Sequence, residues 1–162
     1  MNKTLKKLLG WIFYLAILAA LVWGTPWVLA KVLNTPYPIA AITSGSMWPA
    51  LKQGDIVLIK GVSGKDEIKV GDIAVYKNPS TSSGQAIDKV TFISANGQEE
   101  GASFTIHRVV KVNETTFVTR GDANNVDDNP AAYSQLVGKA VTLGSKTFRI
   151  PYLGKISAMF KK

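Results

Sequence analysis

The sequence predicts a mainly β domain behind a single N-terminal membrane-spanning helix. Three observations carry this. The run Leu8–Ala30 holds no formal charge. Beyond it the chain reads as short apolar segments of alternating pattern, bounded by Gly, Pro, Asn and Asp. No long 3.6-residue apolar period follows the first helix. The 162 residues suit one domain plus a membrane segment. A sheet must hide its edges, so a closed or partly closed barrel is expected.

Residues 1–7 form a basic tail with Lys3, Lys6 and Lys7. Residues 8–30 are the anchor, long enough to cross about 30 Å of hydrocarbon as a helix. Trp11, Tyr14, Trp23 and Trp27 lie toward its ends, where amphipathic rings favour the interface. Pro26 is expected to end or bend the helix. Lysines precede the run and only Lys31 follows closely, which places the N-terminus in the cytoplasm and the domain outside. A cleaved secretory signal has the same basic-then-apolar order. However, this run exceeds the usual core of about 7–15 residues, and Val28-Leu29-Ala30 is a poor small-x-small site. The reading is an uncleaved, single-pass anchor in the cell membrane.

Residues 31–38 are a linker containing Asn34-Thr35-Pro36-Tyr37-Pro38, and residues 39–154 are the β domain. Two segments are alike, Gly-Asp-Ile-Val-Leu-Ile-Lys ending at Lys60 and Gly-Asp-Ile-Ala-Val-Tyr-Lys ending at Lys77. They predict strands Asp55–Lys60 and Asp72–Lys77 with similar turns before them, without a true repeat. Residues 79–101 read as a surface hairpin or insertion, with one possible strand at Ala86–Ser94. Ser103–Val112 alternates, with Phe104, Ile106, Arg108, Val110 and Val112 on one face and Thr105, His107, Val109 and Lys111 on the other. Thr116–Arg120 and Leu136–Leu143 are further strands. Ile150–Gly154 reads as a turn. The basic tail 155–162 is too short to span a bilayer and suits its surface, or a stub before a second anchor.

Composition narrows the chemistry. There is no cysteine, hence no disulfide framework, thiolate nucleophile or Cys-based metal site. The net charge of +8 sits in the two tails, on Lys3, Lys6 and Lys7 and on Lys146, Arg149, Lys155, Lys161 and Lys162. The rest of the chain is balanced. A nucleic-acid binder would concentrate that excess on the folded domain, so lipid headgroups are the better partner.

Three segments could act together. Ser44-Gly45-Ser46-Met47-Trp48-Pro49-Ala50-Leu51 is a tight loop that can expose a serine. His107, the single histidine, lies in a strand, which gives a general base fixed geometry near its working pKa. Arg120–Pro130 is an acidic, asparagine-rich loop. It lacks the ligand alternation and terminal glutamate of an EF-hand calcium loop, leaving a solvated turn or a carboxylate donor. Serine, histidine and carboxylate would supply nucleophile, base and orienting group.

Ser44–Leu51, Gly54-Asp55-Ile56-Val57, Ile106-His107-Arg108-Val109-Val110 and Gly121-Asp122-Ala123-Asn124-Asn125-Val126-Asp127-Asp128 resemble, in order, the successive motifs of type I signal peptidases. The resemblance covers most of residues 8–154 and implies a signal-peptidase-like β-barrel. Histidine at position 107, where the common bacterial enzymes carry lysine, is similar to the endoplasmic-reticulum, archaeal and sporulating-bacterium branch. The resemblance implies Ser46 as nucleophile and His107 as general base. It implies that two aspartates of the acidic loop matter, Asp122 and Asp128; Asp128 is favoured here as the partner of His107, with Asp122 as a supporting residue or the substitute and Asp127 a weaker candidate. It also implies that the Ser44 hydroxyl joins the Ser46 backbone N–H in the oxyanion hole. Trp48, Ala50 and Ala123 depart from the pattern at variable positions. No metal or cofactor is implied.

The expected activity is a membrane-anchored serine endopeptidase that removes signal peptides from exported preproteins, with small residues at the first and third positions before the cut. Secretion-machinery subunits are possible partners. Two other functions would leave different marks. A self-cleaving repressor-type protease would need a lysine base, a DNA-binding domain and no anchor. An inactive anchored scaffold, for surface-fibre or secretion assembly, would keep its role without Ser46.

Overall fold

A computed structural model of the chain describes residues 3–77, 91–93, 99–100, 104–144 and 146–153. One helix, α1, runs Lys3–Val32 with no buried residue, and it is long and apolar enough to cross a membrane. Pro26 does not end it. Proline removes one backbone donor, and in the preceding position the Thr25 hydroxyl donates to the Leu21 carbonyl. The helix stops at a C-cap, where Asn34 adopts a left-handed φ of 50° and Thr35 N–H reaches back to the Ala30 carbonyl.

The expected linker is packed in place. Tyr37 lies against Phe92 and Phe104, with ring centroids 5.3 and 5.4 Å apart, and Thr35 is buried. Gly61 N–H donates to the Leu33 carbonyl, joining the helix end to the sheet.

The remaining elements are strands β1 (Ile39–Ala41), β2 (Ile56–Gly61), β3 (Ile73–Lys77), β4 (Thr91–Ile93), β5 (Glu99–Glu100), β6 (Phe104–Val112), β7 (Thr116–Arg120), β8 (Ala131–Ala132), β9 (Leu136–Ala140), β10 (Thr142–Leu143), β11 (Lys146–Thr147) and β12 (Arg149–Ile150), with two short 3-10 turns. Ladder order is β5-β4-β1-β2-β9-β3-β6-β7-β8, with β12 also on β2, all antiparallel; β10 and β11 pair separately. The sheet curls into a half-barrel whose end strands, among the described residues, are β5 and β8. The strand expected over Leu136–Leu143 breaks at Val141, whose N–H turns to Leu58. Of the expected strand Ala86–Ser94, β4 is described and residues 86–90 and 94 lie outside the described residues, as does the tail 155–162.

Both faces of the central strands are covered. One core holds Met47, Leu51, Val57, Ile59, Ile73, Val75, Phe92, Phe104 and Ile106, and a second holds Ile68, Ala74, Tyr76, Val109, Phe117 and Ala131. Phe92 and Phe104 meet edge-on at 4.6 Å in the first. A bulge between Val109 and Lys111 resets the alternation of β6, so Val112 packs with Val109 in the second core rather than with Phe104. That corrects the single alternation expected for Ser103–Val112.

The two Gly-Asp segments share a turn but not a face. In each, the aspartate accepts the N–H three residues earlier, Lys52 to Asp55 and Lys69 to Asp72, both at 3.0 Å. The glycines, Gly54 and Gly71, sit at φ 90° and 97°, a region that a Cβ penalises. Beyond the turn, Val57 and Ile59 enter the first core, whereas the matching Ala74 and Tyr76 enter the second. The likeness is therefore a repeated strand entrance, not a repeated fold unit.

Candidate active site

The serine loop is held from beneath. Met47 and Leu51 are fully buried in the first core, and Leu51 N–H closes on the Met47 carbonyl at 2.8 Å. Trp48 N–H returns to the Gly45 carbonyl at 3.0 Å, and the Trp48–Pro49 bond is cis. Ser46 is left half-buried at the apex, with Trp48 exposed beside it.

β6 supplies the histidine. Its first half is buried on both faces, and His107 projects on the second-core side, level with Ala74 of β3 in the ladder. The acidic loop leaves β7 at Arg120. Ala123 N–H donates to the Ser46 carbonyl at 2.7 Å, so the acid loop grips the serine loop directly. Gly121 is required at this crossing, because a Cβ there would lie 2.8 Å from the Ser46 carbonyl oxygen.

These elements bring three of the expected residues into line. Ser46 Oγ lies 3.1 Å from His107 Nε2, and His107 Nδ1 lies 2.6 Å from Asp128 Oδ2. A carboxylate only accepts, so Nδ1 carries the proton and Nε2 is the acceptor for the Ser46 hydroxyl. His107 is almost fully buried, whereas the Asp128 side chain is one-fifth exposed. Ser44 Oγ lies 3.2 Å from Ser46 Oγ. With the Ser46 proton directed at His107, the Ser44 hydroxyl is the donor of that contact.

Asp122 is brought to a different partner. Its two oxygens accept from Arg108 Nε at 2.7 Å and Nη2 at 2.6 Å, a bidentate pair next to His107 in sequence. Arg108 also reaches the Gly71 carbonyl at 2.8 Å, tying the acid loop to the turn before β3. The paired carboxylate raises the guanidinium pKa above its usual value. Asp127 forms an exposed pair with Arg120 at 3.3 Å.

Two further side chains reach the acid, and nothing in the sequence signals either. Thr119 Oγ1 donates to Asp128 Oδ2 at 2.6 Å, and the Tyr76 hydroxyl lies 3.0 Å from Thr119 Oγ1. In the sequence they are ordinary strand residues. Only the pairing of β3, β6 and β7 sets them behind the acid. Arg108 stands in the motif around His107, where the sequence assigns it no role. Among the described residues no group of three His, Cys, Asp or Glu could hold a metal ion.

No family model matches the chain. It is 27% identical over 153 residues to the signal peptidase complex catalytic subunit SEC11 of Metarhizium acridum, covering 88% of this chain and 77% of that protein. It is 28% identical over 172 residues to the SEC11 subunit of Coccidioides posadasii, with 88% and 80% covered. To the SEC11C subunit of Homo sapiens it is 31% identical over 129 residues, with 74% of this chain and 55% of that protein covered.

Proposed function

Because the chain belongs to the type I signal peptidases, in the branch of the SEC11 catalytic subunits, we propose that it cleaves signal peptides from preproteins with Ser46 as nucleophile, His107 as general base and Asp128 as the carboxylate that orients the base. The contiguous Ser46–His107–Asp128 line carries this reading.

In acylation, Ser46 Oγ attacks the scissile carbonyl while its proton passes to His107 Nε2. The resulting imidazolium is stabilised through Nδ1–H by Asp128. Negative charge grows on the carbonyl oxygen, where the Ser46 backbone N–H and the Ser44 hydroxyl are the donors. Ser44 turns to that oxygen once Ser46 Oγ has bonded to carbon. His107 returns the proton to the leaving amine, and the same base then activates the water that hydrolyses the acyl-enzyme. Asp122, through Arg108, supports the loop that carries Asp128.

The substrate binds as an added extended strand whose alternate small side chains fill shallow pockets. Helix α1 spans the membrane with the catalytic domain on the extracytoplasmic side, which keeps the site where signal peptides emerge and raises their effective concentration. The relatives are named as subunits of a signal peptidase complex, so companion subunits are part of this reading.

The test is cleavage of a preprotein by the detergent-solubilised full chain and its Ser46→Ala and His107→Ala variants. Both should lose activity by about 10⁴-fold or more. Undiminished cleavage by either would remove the triad. An intact biological role with no cleavage at all would favour the anchored scaffold instead.

A further inference from the structure

Asp128 sits on a loop whose neighbours Asn125, Val126, Asp127, Asn129 and Pro130 are exposed, so those residues do not anchor it. Thr119 does, twice. Its carbonyl accepts the Asp128 N–H at 2.8 Å and its hydroxyl lies 2.6 Å from Oδ2, the same oxygen that faces His107 Nδ1. A threonine hydroxyl has a single proton, and a carboxylate cannot donate, so that proton belongs to Asp128. The Tyr76 phenol at 3.0 Å must then donate into the free lone pair of Thr119 Oγ1. Tyr76 is also 3.4 Å from Asp128 Oδ2, a longer and weaker contact.

The chain is directional and closed to solvent. Thr119 is 1% exposed and Tyr76 3%, so water cannot readily replace either hydroxyl. The Tyr76 ring is fixed edge-on against Phe117 at 5.4 Å. Burial pushes its phenol up to about 12, so it remains a donor throughout the neutral range. The neighbouring charges on the acid loop are engaged elsewhere, Asp122 with Arg108 and Asp127 with Arg120. Among the described residues, the groups in contact with the carboxylate are therefore His107 of β6, Thr119 of β7 and Tyr76 of β3.

We propose that Thr119 and Tyr76 are positioning residues for the proteolytic reaction: a hydroxyl chain from Tyr76 through Thr119 to Asp128 that fixes the carboxylate and moderates its pull on His107. This rests on the Ser46–His107–Asp128 assignment above. Neither residue touches substrate in this scheme, and both act through Asp128. Donors on a carboxylate spread its charge and lower its proton affinity. Without Thr119 the carboxylate would hold the imidazolium more tightly, though in looser geometry. The predicted signature is a slower chemical step with an acid limb of the pH–rate profile moved to higher pH.

The experiment is peptide-substrate kinetics across pH with the full chain in detergent, for Thr119→Val, Thr119→Ser, Tyr76→Phe and Ser46→Ala, each checked for its melting midpoint. Thr119→Val should lower kcat at least tenfold with KM within about twofold, and raise the apparent pKa of the acid limb. Thr119→Ser should restore both. Tyr76→Phe should give a two- to fivefold loss with a limb shift of the same sign. A Thr119→Val enzyme with wild-type kcat and pH profile overturns the chain, as does a Thr119→Ser enzyme no better than Thr119→Val, which would assign the effect to the methyl group. Persistent cleavage by Ser46→Ala would instead overturn the underlying triad, so the two failures are distinguishable.

Discussion

An imidazole can act as a base only at the nitrogen that lacks the proton, so in the proposed triad the Asp128 carboxylate would decide whether His107 faces Ser46 correctly. Asp128→Asn presents an amide that can donate to Nδ1 and favour the wrong tautomer. Its kcat for preprotein cleavage should fall by about 10²–10⁴-fold with little change in KM. Asp122→Asn leaves His107 untouched and weakens the bidentate grip of Arg108. It should cost roughly tenfold, and a larger loss there than at Asp128 would reverse the assignment. Ser44→Ala removes the proposed oxyanion donor and should lower kcat by about 10²–10³-fold. Single-turnover measurements separate these effects from binding.

Two loops and three strands have to meet for this chemistry, and the contact between the loops is made by backbone. Ala123 N–H on the Ser46 carbonyl leaves no room for a side chain at residue 121. In Gly121→Ala the new methyl group would lie 2.7 Å from Asn124 Nδ2 and 2.8 Å from the Ser46 carbonyl oxygen, which forces the loops apart. The variant should stay folded by circular dichroism yet lose most of its kcat, because small misplacements of a nucleophile are costly. Gly144→Ala serves as the contrast. Gly144, after β10, has a left-handed φ of 63° and no atom that a Cβ would strike, so the change carries only the backbone penalty of about 1–2 kcal/mol. That variant should lower the melting midpoint with activity largely kept at low temperature.

For the molecule as a whole, the buried Tyr76 makes alkaline stability informative. Its folded-state pKa of about 12 lies above the unfolded value of 10.0. The neutral phenol's contribution is therefore complete below about pH 10 and lost as pH rises through about 12. Denaturant midpoints should decline across that window in the wild type and more shallowly in Tyr76→Phe; equal slopes would deny the phenol its role. Helix α1 presents Trp11, Phe13, Leu15, Leu18 and Trp23 outward, and none of the described residues covers them. The chain should accordingly remain in the membrane pellet after alkaline carbonate washing and leave it once residues 1–32 are removed.

Local features are legible in the chain alone: a charge-free helix, strands where apolar and polar residues alternate, turns where Gly54-Asp55 and Gly71-Asp72 stand, and a family pattern around Ser46 and His107. Such features depend on residues close together in the chain, or on motifs kept in order, and both can be read in one dimension. Only the tertiary structure shows which aspartate lies against which side chain. Asp122 and Asp128 are near-equivalent by spacing, and they separate only because the path of the acid loop lays one on Arg108 and the other on His107. It also decided the face of Val112, since a bulge in β6 depends on the register of its partner strand. Tyr76 and Thr119 stayed hidden for the same reason. They lie far apart in the chain, and their hydroxyls meet only because β3 and β7 flank β6 on the side where His107 projects.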